Sequence, residues 1–225
     1  MHATIDPKNV CAVVLAGGRA TRMGGVDKGL QLLHGQPLVQ HAVLRLQRQT
    51  LGAPGLIAIN ANRNLADYAP WGQPVWPDTL GDFAGPLAGF QTALQHAQEH
   101  IASLVPSAPF EYLLTVPCDS PRFPLDLLAR LAAGLTQPHA TIAMAAAPEA
   151  DRQGVLRLRA QPVFCLMRVT LLPDLRAYMA EGGRKIHTWT DLHQAVEVPF
   201  DTSTDDPHAF FNTNTPEQLN QLERT

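Results

Sequence analysis

The sequence predicts an α/β protein built around a mainly parallel β-sheet. Short apolar runs, typical of strands buried on both faces, alternate along the chain with longer stretches of helical periodicity. This alternation is the pattern of βαβ units, in which a helix connects each parallel strand to the next. Because no internal repeat and no Gly/Ser-rich linker interrupts it, we expect a single domain over residues 1–225.

The first half of the chain carries the clearest elements. Val10–Leu15 is an uninterrupted apolar run that predicts the first buried strand. Pro37 suits the first turn of a helix, and apolar residues follow it at helical spacing. In chain order, the further predictions are strands at 55–61, 74–76 and 112–116, a helix from about Pro86, and a helix through Leu125, Leu128 and Leu131.

The pattern is looser from residue 136 onward. Runs at 140–147 and 163–166 predict two strands with a mixed or antiparallel direction, and 195–200 predicts another strand. A helix is expected over 170–181, closed by Gly182. The last helix is expected to start with Thr215 as its cap, Pro216 in first position and Gln218 completing a capping box.

Composition limits the classes of function. The 225 residues suffice for one substantial core, and the formal net charge of −3 gives no general attraction to nucleic acid or anionic membranes. Three widely spaced cysteines indicate neither a disulfide framework nor a metal site. The first nine residues do not look like a signal peptide, and no apolar run approaches the length of a membrane span. A cytoplasmic location is therefore expected, with no nucleic-acid or membrane partner.

The segment 15–28 is the strongest functional signal in the chain. It follows the first predicted strand and contains four glycines together with Arg19, Arg22 and Lys28. Glycines let the backbone approach a ligand and adopt positive φ where needed, while amide N–H groups and cations bind phosphate oxygens. The segment matches neither the Walker pattern nor the dinucleotide pattern, although a phosphate-bearing ligand is still indicated.

Polar side chains also follow the predicted parallel strands, where ligands of α/β sheets bind. Asn60, Asp78 and Asp119 each stand at or just after a strand end. A carboxylate at position 119 suits Mg²⁺, although an Asp turn residue is an alternative from spacing alone. Asn60 and Asp78 also allow the turn interpretation. Asn212 and Asn214 flank a chain reversal and can supply oxygen ligands or phosphate donors, with helix capping as the competing explanation.

An ordered set of motifs resembles the nucleotidyltransferases, and within them the molybdenum cofactor guanylyltransferase family. The motifs are Leu-Ala-Gly-Gly at 15–18, Arg-Met-Gly at 22–24, Asp-Lys at 27–28, Ile-Asn-Ala-Asn-Arg at 59–63, Gly-Pro-Leu-Ala-Gly at 85–89, Val-Pro-Cys-Asp at 116–119 and Asn-Thr-Asn-Thr-Pro-Glu at 212–217. The resemblance implies a Rossmann-like three-layer α/β/α fold with a mixed C-terminal part. It also implies a nucleotide-binding part at about 10–135 and a second-substrate part at about 136–225.

The resemblance further implies an activity and a set of site residues. The activity is transfer of GMP from GTP to molybdenum-molybdopterin, with release of diphosphate and with Mg²⁺ as cofactor. Lys28, Arg22 and Asp119 would be catalytic, with Asp119 as the metal ligand. The nucleotide-binding residues would be Leu15, Ala16, Gly17, Gly18, Lys28, Asn60, Asp78 and Asp119. The second substrate would meet Arg184, Lys185, Asn212 and Asn214.

Several alternatives stay open at the level of the sequence. Arg184 and Lys185 are equally well explained as solvated cations at a helix end. A related transferase that uses CTP or a sugar phosphate is the nearest rival, although Gly17-Gly18 favours the guanylyl type over cytidylyl relatives with Ala-Gly. A non-catalytic nucleotide-binding regulator is a different class of function. Other cofactor-biosynthesis proteins and acceptor molybdoenzymes are further candidate partners that the resemblance implies.

Overall fold

A computed structural model describes residues 5–18, 27–79, 85–103, 110–151 and 153–224. The strands are β1 (Val10–Leu15), β2 (Leu32–Leu33), β3 (Gln36–Pro37), β4 (Leu56–Asn60), β5 (Val75–Trp76), β6 (Tyr112–Pro117), β7 (Ile142–Ala150), β8 (Leu156–Arg168) and β9 (Val196–Pro199). The helices are α1 (Leu38–Gln47), α2 (Leu65–Tyr68), α3 (Pro86–Ser103), α4 (Leu127–Gly134), α5 (Leu172–Ala180), α6 (Ile186–Leu192) and α7 (Pro216–Glu223).

One sheet forms the centre of the molecule, with strand order β5-β4-β1-β6-β8-β7-β9. β1 pairs in parallel with β4 on one side and with β6 on the other. β8 runs antiparallel to both of its neighbours, while β9 is parallel to β7. The mainly parallel sheet with a mixed C-terminal part is therefore confirmed. The strand order reverses at β1, and the adjoining strand ends are where such sheets bind ligands.

Helices cover both faces of the sheet and create two apolar cores. One core contains the buried faces of α1 and α4, including Val39, Leu46 and Leu128. The other contains α3, α5 and α6, with Phe90 and Trp189 fully buried. This is the expected three-layer α/β/α arrangement. Within the described residues, no helix combines the length and apolar character needed to cross a membrane.

Three predicted elements differ clearly from their bounds in the structure. The helix expected through Leu125 begins at Leu127, because the Leu125 carbonyl instead accepts a hydrogen bond of 2.8 Å from the Thr50 backbone N–H. The two strands expected at 140–147 and 163–166 are longer and form the antiparallel β7–β8 ribbon. The β2–β3 hairpin, α2 and α6 are not predicted from the sequence, since these elements are too short to show a periodic pattern.

A bulge in β8 shapes the ligand-binding edge of the sheet. Met144 on β7 pairs with Cys165 on β8, but the next residue on β7, Ala145, pairs with Gln161. The residues between them, 162–164, therefore bulge out of the ladder, and Thr115 Oγ1 holds the bulge by donating to the Val163 carbonyl at 2.7 Å. A proline inside a strand is typical of such a bulge, because it cannot donate to the ladder.

Candidate active site

A cavity of about 580 Å³ lies at the carboxyl ends of β1, β4 and β6. The segment 15–18 forms one wall, and the start of α3, with Gly85, Pro86 and Gly89, forms a second. The β8 bulge provides a third wall, and Asp119 lines the floor. A volume of this size suits a small-molecule ligand. The cavity therefore lies at the strand ends where the sequence predicts a ligand site.

Three predicted site residues from distant parts of the chain meet at this cavity. Lys28 Nζ donates to Asp119 Oδ2 at 3.1 Å and to Asn214 Oδ1 at 2.5 Å. The side chains of Lys28 and Asp119 are 22% and 18% exposed, so the pair remains accessible to a ligand. A cation and a carboxylate at one cavity wall provide both a phosphate contact and a potential metal ligand.

A buried carboxylate next to Lys28 fixes the backbone that presents it. Asp27 Oδ1 accepts hydrogen bonds from Tyr68 Oη at 2.6 Å and from the Gly29 backbone N–H at 3.2 Å. Asn64 Nδ2 donates to the other oxygen at 3.2 Å. Tyr68 is fully buried, and burial together with the hydrogen bond to Asp27 raises the pKa of its hydroxyl. Asp27 thus caps the 3-10 turn 28–30, and its hydrogen bonds and its burial restrict the movement of its side chain.

The C-terminal segment reaches the cavity through Asp119. The Thr213 backbone N–H and Thr213 Oγ1 both donate to the Asp119 carbonyl, at 2.8 and 3.0 Å. Asn214 follows directly, and its N–H donates to Gln218 Oε1 at 2.8 Å. The predicted capping box of Thr215 and Gln218 is present at the start of α7. Helix capping therefore positions Asn214 without using its side chain, which contacts Lys28.

Asn60 and Asp78 form a second polar group at the same cavity. Asn60 Nδ2 donates to Asp78 Oδ1 at 2.8 Å and to the Trp76 carbonyl at 2.9 Å. Asn62 Nδ2 donates to Asp78 Oδ2 at 2.7 Å, and the Asp78 N–H donates back to Asn62 Oδ1 at 2.7 Å. The Asp78 carboxylate is thus fixed while it lines the cavity.

The glycines of the cavity wall serve close packing rather than an unusual backbone. Gly17 and Gly18 keep φ outside the left-handed range, so this pair does not use the positive φ that glycine allows. A Cβ at Gly17 would stand 2.8 Å from Asn62 Nδ2, whereas one at Gly18 would meet nothing within 4 Å. A Cβ at Gly89 would stand 2.6 Å from Asn60 Oδ1. Gly17 and Gly89 therefore let the two walls approach each other.

The donor set around Asp119 fits a divalent cation that is held largely by its substrate. Among the described residues, no cluster of three or more His, Cys, Asp or Glu side chains is present. Asp119 Oδ1 makes no hydrogen bond to another described residue, and the Asn214 amide oxygen lies nearby, within hydrogen-bonding distance of Lys28. Mg²⁺ is commonly bound by one or two carboxylates together with substrate phosphates and water, so this sparse set suits it.

Cys118 lines the cavity beside Asp119 but lacks the properties of a nucleophile. Its side chain is buried, and burial raises the pKa of the thiol well above its usual range. A thiolate is the reactive form of cysteine, so a thiol kept neutral by burial is unreactive. These observations favour the packing interpretation of Cys118 over the nucleophile interpretation.

The predicted second-substrate residues separate into two groups. Asn212 lines the cavity and accepts a hydrogen bond from Ser120 Oγ, while Asn214 contacts Lys28. In contrast, Arg184 folds back and donates from Nη1 to the Met179 carbonyl at 2.8 Å, near the end of α5. Lys185 is exposed and precedes α6. Arg184 and Lys185 are absent from the lining of the cavity formed by the described residues, which favours the helix-end alternative.

One catalytic candidate and several lining residues remain to be placed. Arg22 and its neighbour Arg19 lie outside the described residues. The β8 bulge was missed as a cavity wall, and the sequence signal that could have revealed it is Pro162 inside a strand pattern. Asn62 and Gly89 were quoted as motif residues but were assigned no role.

Comparison with known families defines the class of protein. The family model for the MobA-like NTP transferase domain matches residues 12–196, which include most of β1, the cavity walls and Asp119. The protein is accordingly an enzyme, a nucleotidyltransferase. The chain belongs, more particularly, to the molybdenum cofactor guanylyltransferase family, and with it to molybdenum cofactor biosynthesis.

Relatives of that name match over nearly the whole chain. The molybdenum cofactor guanylyltransferase of Albidiferax ferrireducens is 55% identical over 219 residues, covering 97% of this chain and 98% of the relative. Those of Acidovorax sp. strain JS42 and Bordetella petrii are 54% and 49% identical, and each alignment covers 97% of this chain and 97% or more of the relative.

Solved structures share the fold at low sequence identity. Molybdopterin-guanine dinucleotide biosynthesis protein A from Archaeoglobus fulgidus superposes with a TM-score of 0.66 at 18% identity, over 96% of this chain and 97% of its own. The 4-diphosphocytidyl-2C-methyl-D-erythritol synthase from Anaerococcus prevotii gives a TM-score of 0.70 at 12% identity, over 100% and 98%. At such identities these likenesses concern the fold alone.

Proposed function

We propose that the protein transfers GMP from GTP to molybdenum-molybdopterin, releasing diphosphate and forming the molybdopterin guanine dinucleotide cofactor. The observation that carries the proposal is the meeting of Lys28, Asp119 and Asn214 at one wall of the cavity that Asp78 also lines. This arrangement supports a nucleotide whose phosphates face Lys28 and whose base faces Asp78. The names of the close relatives support the same activity.

The proposed transfer of GMP does not require a covalent bond between the substrate and the protein. A terminal phosphate oxygen of molybdopterin attacks the α-phosphorus of GTP in line, a new P–O bond forms, and the bond to the departing diphosphate breaks. The attacking oxygen is already anionic, so neither an enzyme nucleophile nor a strong general base is required. Catalysis then depends on positioning and on neutralising the charge that develops on the diphosphate. Lys28 would supply that neutralisation, together with the predicted contribution of Arg22.

Mg²⁺ is part of the proposal, with Asp119 as its protein ligand. When bound, the ion would supply Lewis-acid stabilisation of phosphate charge. Asp119 is well suited to this role because Thr213 fixes its backbone and because one carboxylate oxygen makes no bond to another described residue. Lys28 holds the other oxygen and so orients the carboxylate.

Base selection is proposed to lie with Asp78. Guanine carries N–H donors at adjacent positions on one edge, and a carboxylate can accept from two parallel donors. Adenine presents an acceptor at the central position of that edge, which would face the carboxylate unfavourably. Asp78 is held by Asn60 and Asn62 beside the cavity, so it meets the base without rearrangement.

The second substrate is proposed to enter between the β8 bulge and the start of α3. Phe164 and Pro162 provide apolar surface there, and Asn212 provides a polar contact. α3 begins at the cavity, and the positive end of its dipole favours an anionic group.

The choice of nucleotide separates this proposal from its rivals. At equal ligand concentration, a ligand that binds the native state more tightly stabilises it more, so thermal unfolding can be compared with GTP, CTP, ATP and UTP, each with Mg²⁺. We expect GTP to raise the melting temperature most. A larger shift with CTP would favour a cytidylyltransferase, and a GTP shift without turnover on molybdenum-molybdopterin would favour a non-catalytic regulator.

A further inference from the structure

Asn62 is a half-buried side chain to which the proposed function gives no role of its own. It lies two residues beyond Asn60, after the end of β4, and stands behind Asp78 relative to the cavity, whose lining includes Asp78 but not Asn62 within the described residues. Its carboxamide contacts both of the segments that the proposed nucleotide would touch. These segments are the loop of Asp78 and the glycine pair at 17–18.

Two hydrogen bonds tie Asn62 to Asp78 at both ends of its carboxamide. Asn62 Nδ2 donates to Asp78 Oδ2 at 2.7 Å, and Asn62 Oδ1 accepts from the Asp78 backbone N–H at 2.7 Å. The next backbone N–H, that of Thr79, donates to Thr92 Oγ1 of α3 at 3.1 Å. The backbone at 78–79 is therefore anchored, and Asn62 fixes the carboxylate relative to that anchored backbone.

The two asparagines leave the Asp78 carboxylate partly unused. Asn60 Nδ2 occupies one position on Oδ1 and Asn62 Nδ2 occupies one on Oδ2. A carboxylate offers about four lone-pair sites, two on each oxygen. Counting bonds among the described residues, one acceptor site on each oxygen thus remains, the number that two parallel N–H donors of a ligand require.

We infer that Asn62 is a positioning residue for base selection, which holds the Asp78 carboxylate in the orientation that distinguishes guanine from adenine. The inference rests on the proposed role of Asp78. Without Asn62 the carboxylate can turn about its side-chain torsions and accept a single N–H, such as that of the adenine amino group. Selectivity, rather than affinity for nucleotides in general, is then lost.

The glycine at position 17 belongs to the same arrangement. Asn62 Nδ2 lies 3.5 Å from the Gly17 carbonyl, and a Cβ at Gly17 would approach this nitrogen to 2.8 Å. Asn62 therefore sits directly between the base-side carboxylate and the glycine wall. Its size sets the spacing between the two, which a nucleotide must match.

The test compares the dissociation constants of GTP and ATP, with Mg²⁺, for wild type and for Asn62→Ala, Asn62→Ser and Asp78→Ala. We expect Asn62→Ala to weaken GTP binding about tenfold or more, which corresponds to about 1.4 kcal/mol, and to change ATP binding less than about twofold. Asn62→Ser should give a smaller loss in the same direction. In Asn62→Ala, the affinity for ITP, which lacks the amino group of guanine, should fall less than the affinity for GTP.

A matched control is available at the opposite end of the sheet. Asn9 Nδ2 also donates to a carboxylate, Glu111 Oε1, at 3.2 Å, on the exposed surface. Asn9→Ala should leave the ratio of GTP to ATP affinity unchanged. Thermal unfolding of each variant verifies that it is folded.

The outcomes distinguish the inference from the proposed function. If Asp78→Ala loses the preference for GTP and the Asn62 variants keep it, or lose GTP and ATP binding equally, the positioning role is wrong while base reading by Asp78 stands. If Asp78→Ala keeps the preference, the proposed role of Asp78 fails and the inference fails with it. Loss of the preference in Asp78→Ala and in both Asn62 variants supports the inference.

Discussion

Lys28 and Asp119 are joined by an ion pair of 3.1 Å across 91 positions of sequence. The backbone of each residue is fixed by a separate set of hydrogen bonds. Asp27 caps the turn that contains Lys28, and Thr213 donates to the Asp119 carbonyl. The pair is thus placed before any ligand binds. Preorganised charges of this kind stabilise a transition state because they need no reorganisation during the reaction.

The first prediction concerns the role of Lys28. A cation acting on charge that develops as diphosphate leaves should affect kcat more than ground-state binding. Lys28→Ala should therefore lower kcat on the order of 10²-fold or more, as for the loss of one preorganised donor. Lys8→Ala, which removes an exposed lysine from the other end of the sheet, is the control and should have little effect. A rise in KM alone would identify Lys28 as a uniform binding group.

The second prediction concerns the hydrogen bond from Tyr68 to Asp27. Tyr68→Phe removes a donor from a carboxylate that is 6% exposed. A hydrogen bond to a charged group contributes about 1.5–3 kcal/mol, so the free energy of unfolding in denaturant should fall by about that amount. Tyr178→Phe is the matched control, since its hydroxyl donates to the Lys185 carbonyl at the surface. Equal losses in the two variants would contradict the account of Asp27.

The third prediction contrasts two glycines of the cavity. A Cβ at Gly89 would stand 2.6 Å from Asn60 Oδ1 and 2.9 Å from Leu15 Cδ2, so Gly89→Ala forces the wall apart. We expect a loss of stability of about 1–3 kcal/mol, typical of overpacking. A Cβ at Gly18 would meet nothing within 4 Å, so Gly18→Ala should leave the free energy of unfolding nearly unchanged. Denaturant unfolding of both variants measures the difference, and similar values would show that Gly89 is not needed for packing.

The fourth prediction concerns pH. Burial raises the pKa of Cys11 to about 12, and it also raises the pKa of Cys165. An unfolded thiol titrates near 8.5, so above that pH the unfolded state binds fewer protons than the native state and stability falls as pH rises. Cys11→Ala should reduce the slope of unfolding free energy against pH between about 9 and 11. An unchanged slope would mean that Cys11 ionises in the native protein.

Much of the site's layout followed from the sequence because strand ends converge. Asp119 and the glycine loop were expected together, since β1 and β6 are parallel and end at the same edge. The capping box of Thr215 and Gln218 was also expected, from a local signal that the structure confirms. Both predictions needed only the pattern of strands and one helix start.

Other parts of the site depend on contacts that no local pattern encodes. The Tyr68–Asp27 bond links a four-residue helix to a loop 41 positions away, and neither shows a periodic pattern. The β8 bulge depends on two non-local contacts of that strand, the hydrogen bond from Thr115 to the Val163 carbonyl and the pairing of β8 with β7. Arg184 shows the reverse case, because the resemblance assigns this basic loop residue to the second substrate, whereas in the structure its side chain bonds a helix-end carbonyl.

GMP transfer from GTP can be measured by tracing the α- and γ-phosphates of the triphosphate separately. Purified protein is incubated with Mg²⁺, molybdenum-molybdopterin and GTP labelled with ³²P at either the α- or the γ-position, with Asp119→Ala as the inactive control. We expect the α-label to appear in the pterin dinucleotide and the γ-label in diphosphate. Release of the γ-label as monophosphate, or its transfer to the pterin, would contradict GMP transfer at this site.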